Sequence, residues 1–167
     1  GETGLDFSKR MSPDSFPAQV EAFKTHLALA ERFALPIVLH VVSAHARMLE
    51  LLSEVSPLSS GGMVHAFSGS AEQALQYVRH GLHVSICGSV TDPRRRKLRR
   101  AVEALPSDRI LVETDAPDQT PIDRRPDPNE PAFLIDVVAA VAEARGETPE
   151  AVARQTTQNA KKLFRIQ

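Results

Sequence analysis

Apolar and polar positions along the chain follow two periods. Short runs that are apolar throughout are separated by longer segments in which apolar residues recur every three or four positions. The first pattern reads as a buried strand, the second as a helix with one buried face. Val20, Phe23, Leu27, Ala30 and Ala34 share such a face and predict a helix over Pro17–Ala34, stopped by Pro36. Ile37–His40 reads as a strand. Ser43 caps the next predicted helix, on which Met48, Leu51, Leu52 and Val55 align. A loop rich in Ser and Gly, Ser56–Gly62, leads into a strand at Met63–Phe67. Ser70 with Gln73 forms a capping-box pattern, and Gly81 stands where a helix C-terminal glycine belongs. A strand at Leu82–Gly88, a helix at Arg94–Leu105 and a strand at Ile110–Thr114 follow. The proline-rich loop Ala116–Pro131 is too long for a simple connector. The last two helices are Phe133–Arg145, closed by Gly146, and one opened by Thr148 with Pro149 at its first position.

Apolar strands alternating with helices predict an α/β fold, a parallel sheet covered by helices. No linker, repeat or low-complexity tract divides the 167 residues, so one structural unit is expected. Composition adds little: 42% hydrophobic and 25% charged is ordinary for a globular chain. The formal net charge of -1 points to neither nucleic acid nor membrane, and no apolar run approaches the ~20 residues of a membrane span. Cys87 is the single cysteine, so no intrachain disulfide is possible and a reducing, cytoplasmic setting is expected. No signal-peptide pattern opens the sequence. It opens instead with Gly1-Glu2-Thr3-Gly4-Leu5-Asp6-Phe7, which lacks an initiating methionine and reads as the end of a strand already in progress. A truncated or processed chain is the expectation.

Candidate chemistry sits where the predicted strands end. The first offers Glu2, the next His40, the next His65, and the Ile110 strand runs into Asp115. His40 and His65 are 25 residues apart and His65 and Asp115 are 50 apart, with one strand between. A βα unit of that length, repeated with a polar residue at each strand's C-terminal end, describes a βα barrel and its active-site mouth. Glu, His, His and Asp suit Zn, Mn or Mg. Converging there, Glu2, His40, His65 and Asp115 could hold one or two divalent ions and generate hydroxide from water near neutral pH. A lone strand-end histidine is more often structural, and an Asp before Ala-Pro is often a turn residue; four at successive strand ends carry the metal reading.

At these residues the chain resembles the TatD-type metal-dependent deoxyribonucleases, a branch of the amidohydrolase-like barrels. The matching stretches are Gly1-Glu2-Thr3-Gly4-Leu5-Asp6, Leu35-Pro36-Ile37-Val38-Leu39-His40, Val64-His65-Ala66-Phe67-Ser68-Gly69, Val112-Glu113-Thr114-Asp115-Ala116-Pro117 and Asn129-Glu130-Pro131, in this order and over the whole chain. The resemblance implies the C-terminal part of a TIM-like barrel that hydrolyses phosphodiester bonds in DNA with divalent metal, as a 3'-5' exonuclease would. It implies that Glu2 bridges metals, that His40 and His65 are ligands, and that Asp115 is a ligand that also orients or deprotonates the attacking water.

Departures from the family's pattern accompany the match. The His-x-His pair of the first strand is absent, and against a barrel of ~250 residues about 80–90 are lacking. Val41-Val42-Ser43 stands where Ser-Arg-acid is usual, so Val42 removes a phosphate contact. Asp118-Gln119 replaces an aromatic, and Asp127-Pro128 replaces basic residues, with Arg124 and Arg125 just upstream.

Arg94, Arg95 and Arg96, with Lys97, Arg99 and Arg100, form the strongest local charge run. They are candidate phosphate contacts beside a strand end, weighed against an ordinary solvated helix face. Glu113 reads either as a hydrogen-bond partner of a ligating histidine or as a structural acid. His26, His45, His80 and His83 read as surface residues, Ser68 as a turn residue and Cys87 as a small buried one. Three functions follow: a deoxyribonuclease-like phosphodiesterase; a metal-dependent hydrolase of a small phosphoester, ester or amide; or a catalytically incomplete fragment.

Overall fold

A computed structural model describes residues 2–55 and 57–166. Gly1, which opens the N-terminal motif, and Ser56, which opens the Ser/Gly loop, lie outside the described residues. Five parallel strands form one sheet in sequential order: β1 (Glu2–Asp6), β2 (Ile37–Val42), β3 (Gly62–Val64), β4 (Leu82–Ile86) and β5 (Ile110–Val112). Between them run α1 (Phe16–Arg32), α2 (His45–Ser53), α3 (Ala71–Arg79) and α4 (Arg96–Ala104). After β5 come α5 (Leu134–Arg145) and α6 (Pro149–Phe164). The predicted α/β class and parallel sheet hold. No helix among the described residues is long and apolar enough to cross a membrane.

Strands β3 and β4 are buried on both faces, which is why their runs are nearly continuously apolar, whereas β1 and β2 leave one face part-exposed. Leu5, Leu39, Val41, Val64, Val84, Ile86 and Ile110 join the core formed with the helices, to which Phe23 and Leu27 of α1 and Met48, Leu51 and Leu52 of α2 contribute. On the opposite face Met63 and Leu111 pack with Leu163 of α6 and Val38. Residues two apart on a strand share a face, so Glu2, Gly4 and Asp6 of β1 belong to this inner face with His40. Gly4 is required there: a Cβ would overlap the His40 carbonyl on the neighbouring strand.

Several boundaries differ from the sequence reading, each for a local reason. The strand does not end near Glu2 as expected but runs on to Asp6, which stands at its C-terminal end. Helix α1 stops at Arg32, before Pro36, because Ala34 takes a left-handed φ of 51° and Leu35 must be extended ahead of the proline. Ser43 does not cap α2; it too is left-handed, at φ 54°, and Ala44 is the capping position. Strand β3 ends at Val64 and β5 at Val112, both shorter than predicted, because the chain turns out of the sheet at Ala66 (φ 44°) and Asp115 (φ 61°). Helix α4 starts at Arg96, leaving Arg94 and Arg95 in the preceding loop. Local signals that name their own partner held well. Ser70 and Gln73 form a complete capping box, Gly146 closes α5 at φ 66°, and Thr148 caps α6 by accepting from the Ala151 N–H at 3.2 Å.

Two of the histidines read as surface residues are not. His83 is buried in β4 at 6% exposure, on the inner face beside Met63 of β3. His45 is half-buried against Phe67 and Tyr77, with Nδ1 3.0 Å from the Tyr77 hydroxyl and Nε2 enclosed without a partner among the described residues. Burial, with the charge of Lys97 adding, pulls the His45 ring down from 6.5 to about 4. The folded state therefore resists a proton that the unfolded chain accepts, so His45 contributes stability that is present above pH 6.5 and is lost as pH falls towards 4. Thermal unfolding in that window is expected to show a shallower acid slope in His45→Phe than in wild type; parallel slopes would reject the assignment.

Candidate metal centre

The register of the inner strands sets this site. Leu39 pairs with Val64, so His40 on β2 and His65, one residue past β3, stand abreast. Gly4 pairs with His40, and its missing side chain lets β1 approach the His40 backbone closely. His40 Nδ1 lies 3.0 Å from Glu2 Oε1, His65 Nε2 lies 3.2 Å from the same oxygen, and the two nitrogens are 3.0 Å apart. Burial deepens along the series: the side chains are 50%, 35% and 11% exposed for Glu2, His40 and His65. One ion bonded at ~2.0–2.2 Å to three such donors would hold them about 3 Å apart, so the residues present fit a divalent cation.

Asp115 stands on the other side of the His65 ring. Its Oδ1 is 3.9 Å from Nδ1, opposite the nitrogen that faces Glu2 and His40. The structure thus brings three of the four predicted ligands into one cluster and sets the fourth against its edge. Glu113 is 3.6 Å from the same Nδ1 and accepts the Ala66 N–H. This is the outer-partner arrangement that fixes which imidazole nitrogen keeps its proton. Glu113 raises the His65 ring above its ordinary value, Glu2 and Asp115 adding while burial opposes. Burial likewise lifts the Asp115 carboxyl, with Glu113, Asp118 and Glu2 adding and His65 opposing.

Asp6 is the residue that sequence reasoning passed over. Its Oδ2 lies 4.0 Å from His40 Nε2, the nitrogen that faces away from Glu2. The Ser8 N–H donates to its Oδ1, and Gln19 brackets its backbone on both sides. A search for polar residues at strand C-terminal ends also selects Asp6, once β1 is read as ending there.

The arginine run borders the site but is not equally available. Arg94 forks onto Asp92, with Nε donating to Oδ1 and Nη2 to Oδ2, both at 2.9 Å. Arg94 to Lys97 form one wall of a cavity of about 470 Å³ whose other walls include His40, Val42, His65 and Asp115. A second cavity of about 770 Å³ shares His40, Val42 and Asp115 and opens towards Asp6 and Arg10. Ser68 also borders the first cavity, and Cys87 is fully buried as expected.

The profile of the TatD related DNase family matches residues 1–165. The chain belongs to the TatD-related DNase family. It is 44% identical to the 3'-5' ssDNA/RNA exonuclease TatD of Erwinia billingiae, over 99% of this chain and 65% of that protein. It is 39% identical to the uncharacterized metal-dependent hydrolase YabD of Bacillus subtilis, over 99% of this chain and 64% of that one. Among solved structures, the TatD homolog YjjV of Escherichia coli superposes with a TM-score of 0.92 at 34% identity, covering 100% of this chain and 63% of that one. The chain therefore spans about 65% of the length of the TatD relatives it matches.

If the cluster is a TatD metal site, removing a ring should cost more than removing an outer partner. His65→Ala is expected to weaken Mn²⁺ or Zn²⁺ binding by more than ~100-fold, and Asp6→Ala by about 10-fold, in competition with a chromophoric chelator. Equal affinities in wild type and His65→Ala would dismiss the site.

Proposed function

We propose that this chain carries the catalytic metal-binding part of a hydrolase that cleaves phosphodiester bonds in DNA from the 3' end. The observation that carries the reading is the convergence of Glu2, His40 and His65 beside a cationic wall. The names of its TatD relatives agree with it. We read residues 1–167 as a single hydrolase unit. Glu2, His40 and His65 would hold one divalent ion, and Asp115 would serve it or a second. Two imidazoles favour Zn²⁺ or Mn²⁺ over Mg²⁺. When bound, such an ion lowers the pKa of water and neutralises charge on the phosphoryl oxygens.

The chain's own groups supply the rest. Asp115, with its carboxyl raised by burial, is suited to accept the proton of the attacking water. Glu113 keeps the His65 ring oriented so that Nε2 faces Glu2. Arg95 and Arg96 offer the phosphate contacts, while Arg94 supports their loop through Asp92. A lone buried Cys87 is consistent with a reducing, cytoplasmic setting.

One observation favours a second reading, hydrolysis of a small phosphoester, ester or amide. The first cavity is lined at Val41 and Val42 by apolar side chains, which offer a DNA backbone no phosphate contact at those positions. Turnover of a dinucleotide against that of a simple aryl ester separates the two. A chain that binds metal but turns over neither is a catalytically incomplete fragment.

Asp115→Asn is expected to lower kcat on a dinucleotide by about 10²–10⁴-fold with little change in KM, as loss of a general base does. Activity that survives both this change and a chelator contradicts the proposal. Reversing Arg95 and Arg96 to glutamate should flatten the dependence of log KM on log salt by about 1 for each lost phosphate contact. An unchanged slope would leave those arginines as solvated surface.

A further inference from the structure

The loop that carries Asp115 is tied down by one buried side chain, and we propose that Asn129 is the positioning residue that places Asp115 at the metal centre. The inference rests on Asp115 belonging to that site. Asn129 is only 5% exposed. Its Nδ2 donates to two carbonyls, those of Thr114 at 2.6 Å and Asp118 at 2.7 Å. Its backbone N–H donates to the Pro117 carbonyl at 3.0 Å. The three acceptors bracket Asp115 on both sides along the chain, so one residue closes the turn into a ring.

The turn needs such a clamp. Asp115 has a φ of 61°, a left-handed conformation that Asp tolerates but does not favour. A segment held in such a conformation persists only when its surroundings over-determine it. The alternative, an extended residue 115, would carry the carboxylate away from His65. Asn also suits the task in its donor count. Both hydrogens of the amide are used on carbonyls, which a carboxylate at the same position has no protons to satisfy. The amide oxygen is enclosed with no partner among the described residues, so the hydrogen bonds this side chain makes are the two it donates.

A second anchor steadies the far wall of the loop. Gly88 approaches so closely that a Cβ there would overlap the Gln119 carbonyl, and the Ile122 N–H donates to Thr91 Oγ1 at 2.8 Å. Together the two anchors contact the backbone at residues 114, 117, 118, 119 and 122. Arg124, just beyond them, is exposed.

The test uses the 167-residue chain and Mn²⁺ as probe, with free Mn²⁺ followed by electron paramagnetic resonance. The variants are Asp115→Ala, Asn129→Ala, Asn129→Asp and the double Asp115→Ala/Asn129→Ala. Tryptic cleavage after Arg124 reports loop opening, and thermal melting confirms that each variant folds. If Asn129 acts through Asp115, either Asn129 change weakens Mn²⁺ binding about as much as Asp115→Ala does, and speeds cleavage after Arg124 by about 10-fold. Asn129→Ala then costs nothing further in the Asp115→Ala background, because the two changes remove one interaction. A full additional loss in that background overturns the proposal, as does an unchanged cleavage rate in both Asn129 variants. Wild-type chain that binds no Mn²⁺ defeats the metal reading instead, and the cleavage rates alone then decide for or against Asn129.

Discussion

Everything else in this molecule is arranged around three donor atoms crowded onto one face of a parallel sheet. Glu2 Oε1, His40 Nδ1 and His65 Nε2 lie within 3.2 Å of one another. Three lone pairs so close repel unless a proton or a cation stands among them. The crowding follows from strand pairing, because β2 and β3 align in the register that sets the two rings abreast. It also requires Gly4, since any side chain there would strike β2. Around the cluster stand Asp6, Glu113 and Asp115, each near a ring nitrogen that faces away from Glu2. A carboxylate-rich rim of this kind lowers the cost of gathering positive charge and raises that of leaving the site empty.

The chain leaves the sheet above this cluster by a repeated device. Ser43 after β2, Ala66 after β3 and Asp115 after β5 all take positive φ without being glycine. Such a residue costs roughly 1–2 kcal/mol in regular backbone. Three of them at the same edge of one sheet mark where backbone shape serves the site. The benefit is visible at Ala66, whose turned N–H reaches the Glu113 carboxylate and ties β3 to β5 across the intervening strand.

Much of this was legible from residue types alone. The βα alternation, the capping box at Ser70 and Gln73, the glycine after α5 and the position of His65 just past β3 all depend on local chemistry, whereas β2 runs two residues beyond His40 to Val42. What resisted reading depended on distant partners. Nothing near Glu2 tells where its strand ends; pairing with β2 carries it on to Asp6, which is why Asp6 escapes a reading of the sequence alone. Burial of His83 depends on Met63, its pairing partner on the neighbouring strand. The division of labour between Arg94 and its neighbours turns on Asp92, a bond that no periodicity announces. Asn129 belonged to a recognisable stretch, yet its contacts lie 11 and 15 residues back along the chain.

The central claim is that Glu2, His40 and His65 ligate one cation together. X-ray absorption on the Zn²⁺-loaded chain measures this most directly. The account predicts back-scattering from two imidazole rings with Zn–N of about 2.0–2.1 Å and at least one oxygen at a similar distance. A first shell of oxygen alone, with no imidazole signature, would contradict it.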